Sequence, residues 1–126
     1  MENKKCFCDT GLPFDECCGL YLSGSQKAPS ALALMRSRYS AYATHNADYL
    51  METTYISKRK YYSKPEILRW AKENTWLQLS INEFTETTVV FNVYFLNSEN
   101  QSDIHYEFST FKFENGAWYY LEGKFE

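Results

Sequence analysis

The residues with the clearest chemistry are four cysteines, all of which lie within the first eighteen positions of the chain. The first pair is separated by one residue and the second pair is adjacent, so the pattern is C-x-C, eight residues and C-C. Four thiolates can surround a tetrahedral zinc ion, whose sulfur ligands lie roughly 3.8 Å apart at Zn–S distances of about 2.3 Å. We therefore predict a structural zinc site with no open position for activating water, formed by Cys6, Cys8, Cys17 and Cys18.

Disulfides, free thiols and redox or catalytic chemistry are the alternative interpretations of the same cysteines. Disulfides persist in oxidising compartments, and the first eight residues contain neither the apolar segment nor the cleavage site of a signal peptide. No stretch of the chain approaches the roughly 18 consecutive apolar residues of a membrane span. We therefore expect a cytoplasmic protein with reduced thiols and no membrane partner.

The loop between the two cysteine pairs contains residues that favour turns. Asp9-Thr10-Gly11 predicts a turn, and Pro13–Cys18 predicts a short helical turn that stops at Gly19. Gly, Ser and Pro in the next stretch are typical of a connector. The chain is thereby divided into a cysteine motif over residues 1–22, a connector over 23–29 and a main domain over 30–126.

The main domain begins with helical periodicity. Ser30 is a favourable N-cap, and the apolar side chains that recur on one helix face are Leu32, Met35, Tyr39 and Tyr42. This predicts a helix that begins after Ser30. Two further helices are predicted over 47–53 and 64–74, the last of them with Ser63 as its N-cap and Pro65 in its first turn.

From Trp76 onward the apolar period changes to two, which is typical of strands. A slip of this pattern at Glu83-Phe84 indicates a bulge, and Asn115-Gly116 predicts a tight hairpin turn. The predicted strands cover 76–84, 87–96, 103–114 and 117–124. Helices followed by a bent antiparallel sheet predict an α+β domain in which the sheet wraps over the helices.

Three polar side chains share one face of the predicted strand 103–114, because alternate residues of a strand point the same way. They are His105, Glu107 and Ser109. A histidine beside a carboxyl group can move a proton, so His105 and Glu107 are the candidate catalytic residues. The alternative is a polar pocket lining or a buried hydrogen-bond network.

Two arginines are candidates for binding an anion. Arg36 and Arg38 lie about 200° apart around their helix, so they cannot both face one ligand. We expect one of them to pair with an acid such as Glu107 or Asp48, whereas a guanidinium that faces a pocket suits a carboxylate or a phosphate. The aromatic residues assigned to the same pocket, or otherwise to the ordinary core, are Tyr39, Tyr42, Trp76, Trp118 and Tyr120.

The charge of the chain limits its partners. Thirteen basic and sixteen acidic residues give a net charge of −3, which disfavours a protein that coats nucleic acid or an anionic membrane. Residues 1–63 carry eight basic and six acidic side chains, whereas residues 64–126 carry five and ten. Any anion-binding surface is therefore expected in the first half.

The motifs also match a known family. CFCDTGLPFDECCG resembles the SEC-C zinc motif, and the blocks LMRSRY (34–39), ADYL (47–50) and ENGAWYY (114–120) are similar to the central domain of the YchJ family. The resemblance covers nearly the whole chain. It implies a cone-shaped, cystatin-like domain of the nuclear-transport-factor-2-like type, with about three helices packed on a curved four-stranded antiparallel sheet and a small N-terminal zinc knuckle.

The sequence departs from that family at two places that bear on a ligand. Thr54-Tyr55-Ile56 stands where relatives carry Trp-His-Pro, and Phe108 and Thr110 replace two arginines. If those groups serve a common anionic ligand, part of its site is missing here.

We therefore favour a zinc-containing binding module for a small ligand or a protein partner. A proton-transfer enzyme of the isomerase or dehydratase type is the first alternative, by analogy of fold. A ribosome- or chaperone-associated adaptor that docks through the zinc knuckle is the second, although the acidic and apolar loop between the cysteines disfavours nucleic acid. Cone domains of this type often pair through the sheet, which leaves a homodimer open.

Overall fold

The structure is a computed structural model that describes residues 5–8 and 10–125. Asp9 of the predicted turn lies outside the described residues. A 3-10 turn (Phe14–Glu16) precedes the first helix, and another 3-10 segment (Ile56–Tyr61) precedes the last one. The helices are α1 (Cys18–Leu22), α2 (Ala31–Ala43), α3 (Ala47–Glu52) and α4 (Lys64–Glu73), and the strands are β1 (Thr75–Phe84), β2 (Thr88–Leu96), β3 (Ser102–Glu114) and β4 (Ala117–Phe125).

Helix α2 is the central helix, and its ends follow from local chemistry. The hydroxyl of Ser30 accepts a hydrogen bond from the Ala33 amide at 3.0 Å, which confirms the predicted N-cap. At the other end the amides of His45 and Asn46 donate to the carbonyls of Tyr42 and Ala41. This is a Schellman motif, and His45 occupies its left-handed position with φ of 61°.

Helices α3 and α4 begin with different caps. The side chain of Asn46 accepts a hydrogen bond from the Tyr49 amide at 3.1 Å and so caps α3. Ser63 stands at the N-cap of α4, but its side chain accepts no capping hydrogen bond, so Pro65 in the first turn is the local signal that remains.

The four strands form one antiparallel sheet in the order β1-β2-β3-β4. Register shifts lie at Trp76/Gln78 and Ile81/Glu83 in the β1–β2 pair, and at Thr110/Phe111 in the β3–β4 pair. The second of these confirms the predicted bulge, and such bulges increase the local twist of a sheet. Asn115 and Gly116 both have positive φ in the β3–β4 hairpin, as a type I′ turn requires.

The core lies between the helices and one face of the sheet. Alternate residues of β2 point into it and are nearly fully buried, as Val89, Phe91, Val93 and Phe95 show. Helix α2 packs against β1, β2 and β4 on one side and against α1 and α3 on the other. It is consequently buried around most of its circumference. Of the face predicted from periodicity, Met35 and Tyr39 are buried whereas Leu32 and Tyr42 are only half-buried, and Leu34 and Ala41, outside that face, are buried as well. Among the described residues no helix is long and apolar enough to span a membrane.

The cysteine segment packs directly on this core. Cys6, Cys8 and Cys18 are buried in one apolar cluster with residues of α2, and the guanidinium Nη1 of Arg36 donates a hydrogen bond to the Cys8 carbonyl at 3.1 Å. The fold is thus the predicted α+β arrangement, with helices on one face of a four-stranded sheet and a cysteine-rich knuckle attached to α2.

Candidate metal centre and ligand cavity

The four predicted metal ligands lie together. All four Sγ atoms of Cys6, Cys8, Cys17 and Cys18 are within 4.8 Å of one another, and the Sγ atoms of Cys8 and Cys17 are 3.6 Å apart. Tetrahedral thiolate ligands around one ion need separations near 3.8 Å, so the cluster fits a metal ion with four sulfur ligands. The four cysteines can therefore hold a metal.

The surroundings of the cluster orient its sulfur atoms. The hydroxyl of Ser40 lies 3.6 Å from the Sγ of Cys6, and the hydroxyl of Thr10 lies 3.2 Å from the Sγ of Cys17. Hydrogen bonds from Cys18 and Cys8 hold the pKa of the Cys6 thiol well below its usual value, whereas burial raises the pKa of the Cys17 thiol. Hydrogen bonds from groups outside the cluster, such as the hydroxyls of Ser40 and Thr10, fix the orientation of metal ligands.

One local prediction about the knuckle is wrong. Gly19 does not stop a helix, because it is the second residue of α1. A Cβ atom at Gly19 would lie 2.7 Å from the carbonyl oxygen of Phe14 and 3.1 Å from its ring. Gly19 is therefore required for close approach of the 3-10 turn to α1, which brings Cys17 and Cys18 to the cluster.

A second feature is a cavity of about 290 Å³ between the helices and the concave face of the sheet. Ligand pockets in proteins commonly measure about 300–1,000 Å³, so this one, at the lower limit of that range, fits a small molecule. Most of its wall is aromatic or aliphatic, and polar groups converge on one side. The lining residues are Met35, Arg38, Tyr39, Tyr42, Thr54, Tyr62, Ile67, Trp70, Trp76, Phe91, Val93, His105, Glu107, Tyr120 and Phe125.

The aromatic wall is made by side chains of α2, α4 and β1. The rings of Trp70 and Trp76 are 5.0 Å apart, and Tyr42 lies within 5.6 Å of both. The indole nitrogen of Trp76 donates to the Ala71 carbonyl at 3.0 Å. The polar tip of Trp76 is thus satisfied at the end of α4, so its contribution to the cavity is apolar.

The polar side of the cavity centres on Glu107, whose side chain is buried. One carboxyl oxygen, Oε1, lies 2.9 Å from the Nε2 of His105. The other, Oε2, accepts hydrogen bonds from the hydroxyl of Tyr120 at 2.9 Å and from the hydroxyl of Ser109. Burial, and secondarily the charge of Glu107, raises the pKa of Tyr120 above its usual value. Tyr120 is therefore a neutral hydrogen-bond donor over the physiological pH range.

The space for this network depends on a glycine in β4. Gly123 pairs with Ser109 across the β3–β4 ladder, and a Cβ atom there would overlap the carboxyl group of Glu107 and the hydroxyl of Tyr120. Only glycine leaves room for both groups at this position.

The structure brings most of the predicted pocket residues to this cavity and excludes three. Those on its wall are Arg38, Tyr39, Tyr42, Trp76, His105, Glu107 and Tyr120. Ser109 is fully buried behind Glu107. Arg36 points to the cysteine segment, and Trp118 lies in a separate groove between α1 and the β3–β4 hairpin.

Neither Glu107 nor Asp48 forms the ion pair that was expected with one of the two arginines. Asp48 pairs with Lys64, and none of the ion pairs within the described residues includes Arg36 or Arg38. Phe108 and Thr110, where relatives carry arginine, alternate with Glu107 and Ser109 and therefore lie on the opposite face of β3. Arginines at those two positions would not reach this cavity.

Several lining residues were not assigned from the sequence. Ile67 and Trp70 of α4 and Phe91 and Val93 of β2 carry only a general apolar pattern, which does not distinguish cavity from core. Tyr62 and Phe125 reach the cavity from a loop and from the end of β4. Only their spatial arrangement identifies them.

The fold and the two sites define the class of this protein. It combines a cysteine cluster of the SEC-C type with a nuclear-transport-factor-2-like α+β domain. The family model for the middle NTF2-like domain of YchJ matches residues 30–123. A UPF0225 protein of Enterobacter sp. (strain 638) is 36% identical over 94% of this chain and 81% of its own length. The chain belongs to the YchJ family.

Two solved structures support this assignment. A SEC-C motif containing protein from Rhodopseudomonas palustris superimposes with a TM-score of 0.87 and 34% identity, and covers 96% of this chain and 98% of its own. A SEC-C motif containing protein from Psychrobacter arcticus gives a TM-score of 0.78 at 24% identity, over 94% of this chain and 81% of its own, and this second likeness shows the fold alone.

Proposed function

We propose that this protein is a zinc-stabilised binding domain that takes a small, largely apolar molecule into the cavity of its cone. The observation that carries the proposal is the cavity itself: about 290 Å³ walled by aromatic and aliphatic side chains, with a few polar groups converging on one side. That combination is typical of small-molecule sites.

A site with four cysteine ligands and no open coordination position favours zinc, and zinc in such a site has a structural role. Native mass spectrometry of protein purified under reducing conditions tests this, with one zinc ion per chain as the expected result. Cys8→Ser should lose the metal, whereas Ser40→Ala, which removes a neighbouring hydroxyl and no ligand, should keep it. A metal-free mass two or four units below that of the reduced chain would indicate disulfides and contradict the proposal. The same spectrum tests the homodimer expected through the sheet, because a dimer would appear at twice the mass of the chain.

Binding in the cavity is tested with benzamide, a neutral aromatic probe, by NMR chemical-shift titration. Two matched substitutions separate the cavity from the surface. Ile67→Phe adds a ring inside the cavity, whereas Ile104→Phe adds the same ring at a position that is 59% exposed. We expect Ile67→Phe to abolish binding and Ile104→Phe to preserve it. Equal binding by both variants would contradict the proposed site.

Proton transfer is the second candidate function, and one contact favours it. The Nε2 of His105 lies 2.9 Å from the Oε1 of Glu107 at the cavity wall, which holds the ring in one orientation for acid–base work. The test is deuterium exchange at the carbon next to the carbonyl of phenylpyruvate, followed by NMR. If Glu107→Gln abolishes an exchange catalysed by the parent while binding survives, the domain is an enzyme. An exchange rate equal to that in buffer favours binding alone.

A further inference from the structure

Arg38 of α2 is a buried charged residue on the cavity wall, with a fractional exposure of 7%. Its Nη1 atom donates to the Leu50 carbonyl at 2.9 Å and to the hydroxyls of Thr53 and Thr54 at 2.7 and 3.4 Å. The Leu50 carbonyl, which also accepts a hydrogen bond from the Thr54 hydroxyl at 2.8 Å, belongs to the last turn of α3, where the carbonyl groups attract a cation. Nη1 therefore stabilises the end of α3.

The other two guanidinium nitrogens are not used by the protein. Within residues 5–8 and 10–125, Nε and Nη2 of Arg38 take part in no hydrogen bond or ion pair. In the same part of the chain, no side-chain nitrogen or oxygen is both inaccessible to solvent and without a partner. Nε and Nη2 therefore keep access to open space, and the open space that Arg38 lines is the cavity.

A buried charge without a counter-ion is costly, and the structure compensates Arg38 only in part. The ring of Tyr120 lies 4.5 Å from its Cζ atom, which is a cation–π contact. Glu107, which is hydrogen-bonded to the hydroxyl of that same Tyr120, already has three partners of its own. The fork of Nε and Nη2 is the geometry that binds a carboxylate through two parallel hydrogen bonds.

We propose that the ligand is an aromatic monocarboxylate, whose carboxylate group binds to Nε and Nη2 of Arg38 and whose ring packs against Trp76 and its aromatic neighbours. This rests on the proposed function of the cavity. The nearby carboxyl group of Glu107 opposes a second negative charge on the ligand, and a cavity of about 290 Å³ with an aromatic wall suits a molecule with one ring. A monoanion with one ring meets both conditions.

The test compares three probes of similar shape by calorimetric titration: benzoate, benzamide and benzylamine. We expect benzoate to bind at least tenfold more tightly than benzamide, which corresponds to about 1.4 kcal/mol, and benzylamine to bind most weakly. In the NMR spectrum of the unaltered protein, the Arg38 Nε–H signal should move further downfield with benzoate than with benzamide, because a charged acceptor makes the stronger hydrogen bond. This measurement leaves Arg38 in place, so its hydrogen bonds to the end of α3 are not disturbed.

Arg38→Lys supplies the second arm, because lysine keeps the charge and loses the fork. Benzoate binding should weaken by about tenfold in this variant and benzamide binding by much less, so that the preference of the cavity for benzoate over benzamide falls. Equal affinities of benzoate and benzamide for the parent would overturn the assignment of a carboxylate and leave the cavity as a neutral site. Tighter binding of benzylamine would overturn it in favour of a cation at Glu107. Failure of all three probes would overturn the proposed function together with this inference.

Discussion

Replacement of Gly123 by alanine tests whether the network around Glu107 is as closely packed as the structure shows. The added Cβ overlaps the carboxyl group of Glu107 and the hydroxyl of Tyr120, both of which are buried, so at least one hydrogen bond must break or lengthen. Hydrogen bonds to charged groups contribute about 1.5–3 kcal/mol. Removal of a glycine restricts the unfolded chain and returns about 0.4–1 kcal/mol.

The expected result for Gly123→Ala is therefore a free energy of unfolding that is lower by about 0.5–2.5 kcal/mol. Urea denaturation of the metal-loaded protein measures it, provided that the slope of the transition is unchanged. Lys124→Ala is the control, because Lys124 is an exposed neighbour on the same strand and should change stability by no more than about 0.5 kcal/mol.

The assignment of the cost to this contact is tested in a Tyr120→Phe background. Phenylalanine removes one of the two groups that the new methyl group would meet and leaves space into which the Glu107 carboxyl group can move, so the penalty of Gly123→Ala should be smaller there by about 1 kcal/mol or more. A penalty that is the same in both backgrounds would refute the argument, as would an alanine variant as stable as the parent.

Three further predictions concern other parts of the molecule. His45→Gly should raise the free energy of unfolding by about 0.5–1 kcal/mol, since glycine adopts the left-handed C′ position without strain. His45→Ala should give no such increase, and chemical denaturation measures the free energy of unfolding of both variants. Removal of the metal with a strong chelator should lower the melting temperature of the parent, whereas Cys8→Ser should melt at a temperature that the chelator does not change. Burial raises the pKa of Tyr42, Tyr49 and Tyr120, so the folded state keeps these protons when the unfolded state has lost them. The contribution of these tyrosines to stability should be constant below about pH 10 and decrease above it. A free energy of unfolding that does not fall between about pH 10 and pH 11 would contradict this account.

Much of the local structure could be predicted from the sequence because it depends on neighbouring residues. The N-cap at Ser30, the hairpin turn at Asn115-Gly116 and the bulge near Glu83 are confirmed at their predicted positions. The cysteine cluster belongs to the same group, since its four cysteines lie within thirteen consecutive positions and need only a short loop to meet. The exceptions are Ser63, whose side chain accepts no capping hydrogen bond, and Gly19, whose role depends on contact with Phe14 and not on helix termination.

The cavity depends on contacts between residues far apart in the chain. For the cavity, the sequence determined only which residues were candidates for its wall. Periodicity showed that Arg36 and Arg38 cannot face the same way, but the rotation of α2 between the knuckle and the sheet decided that Arg38 faces the cavity. Likewise, alternation placed His105 and Glu107 on one face of β3. The β3–β4 register, with its shift at Thr110/Phe111, then brought Tyr120 to the carboxyl group of Glu107. Sequence patterns specify which side of an element is apolar, whereas the orientation of a buried polar group follows from the packing of every element around it.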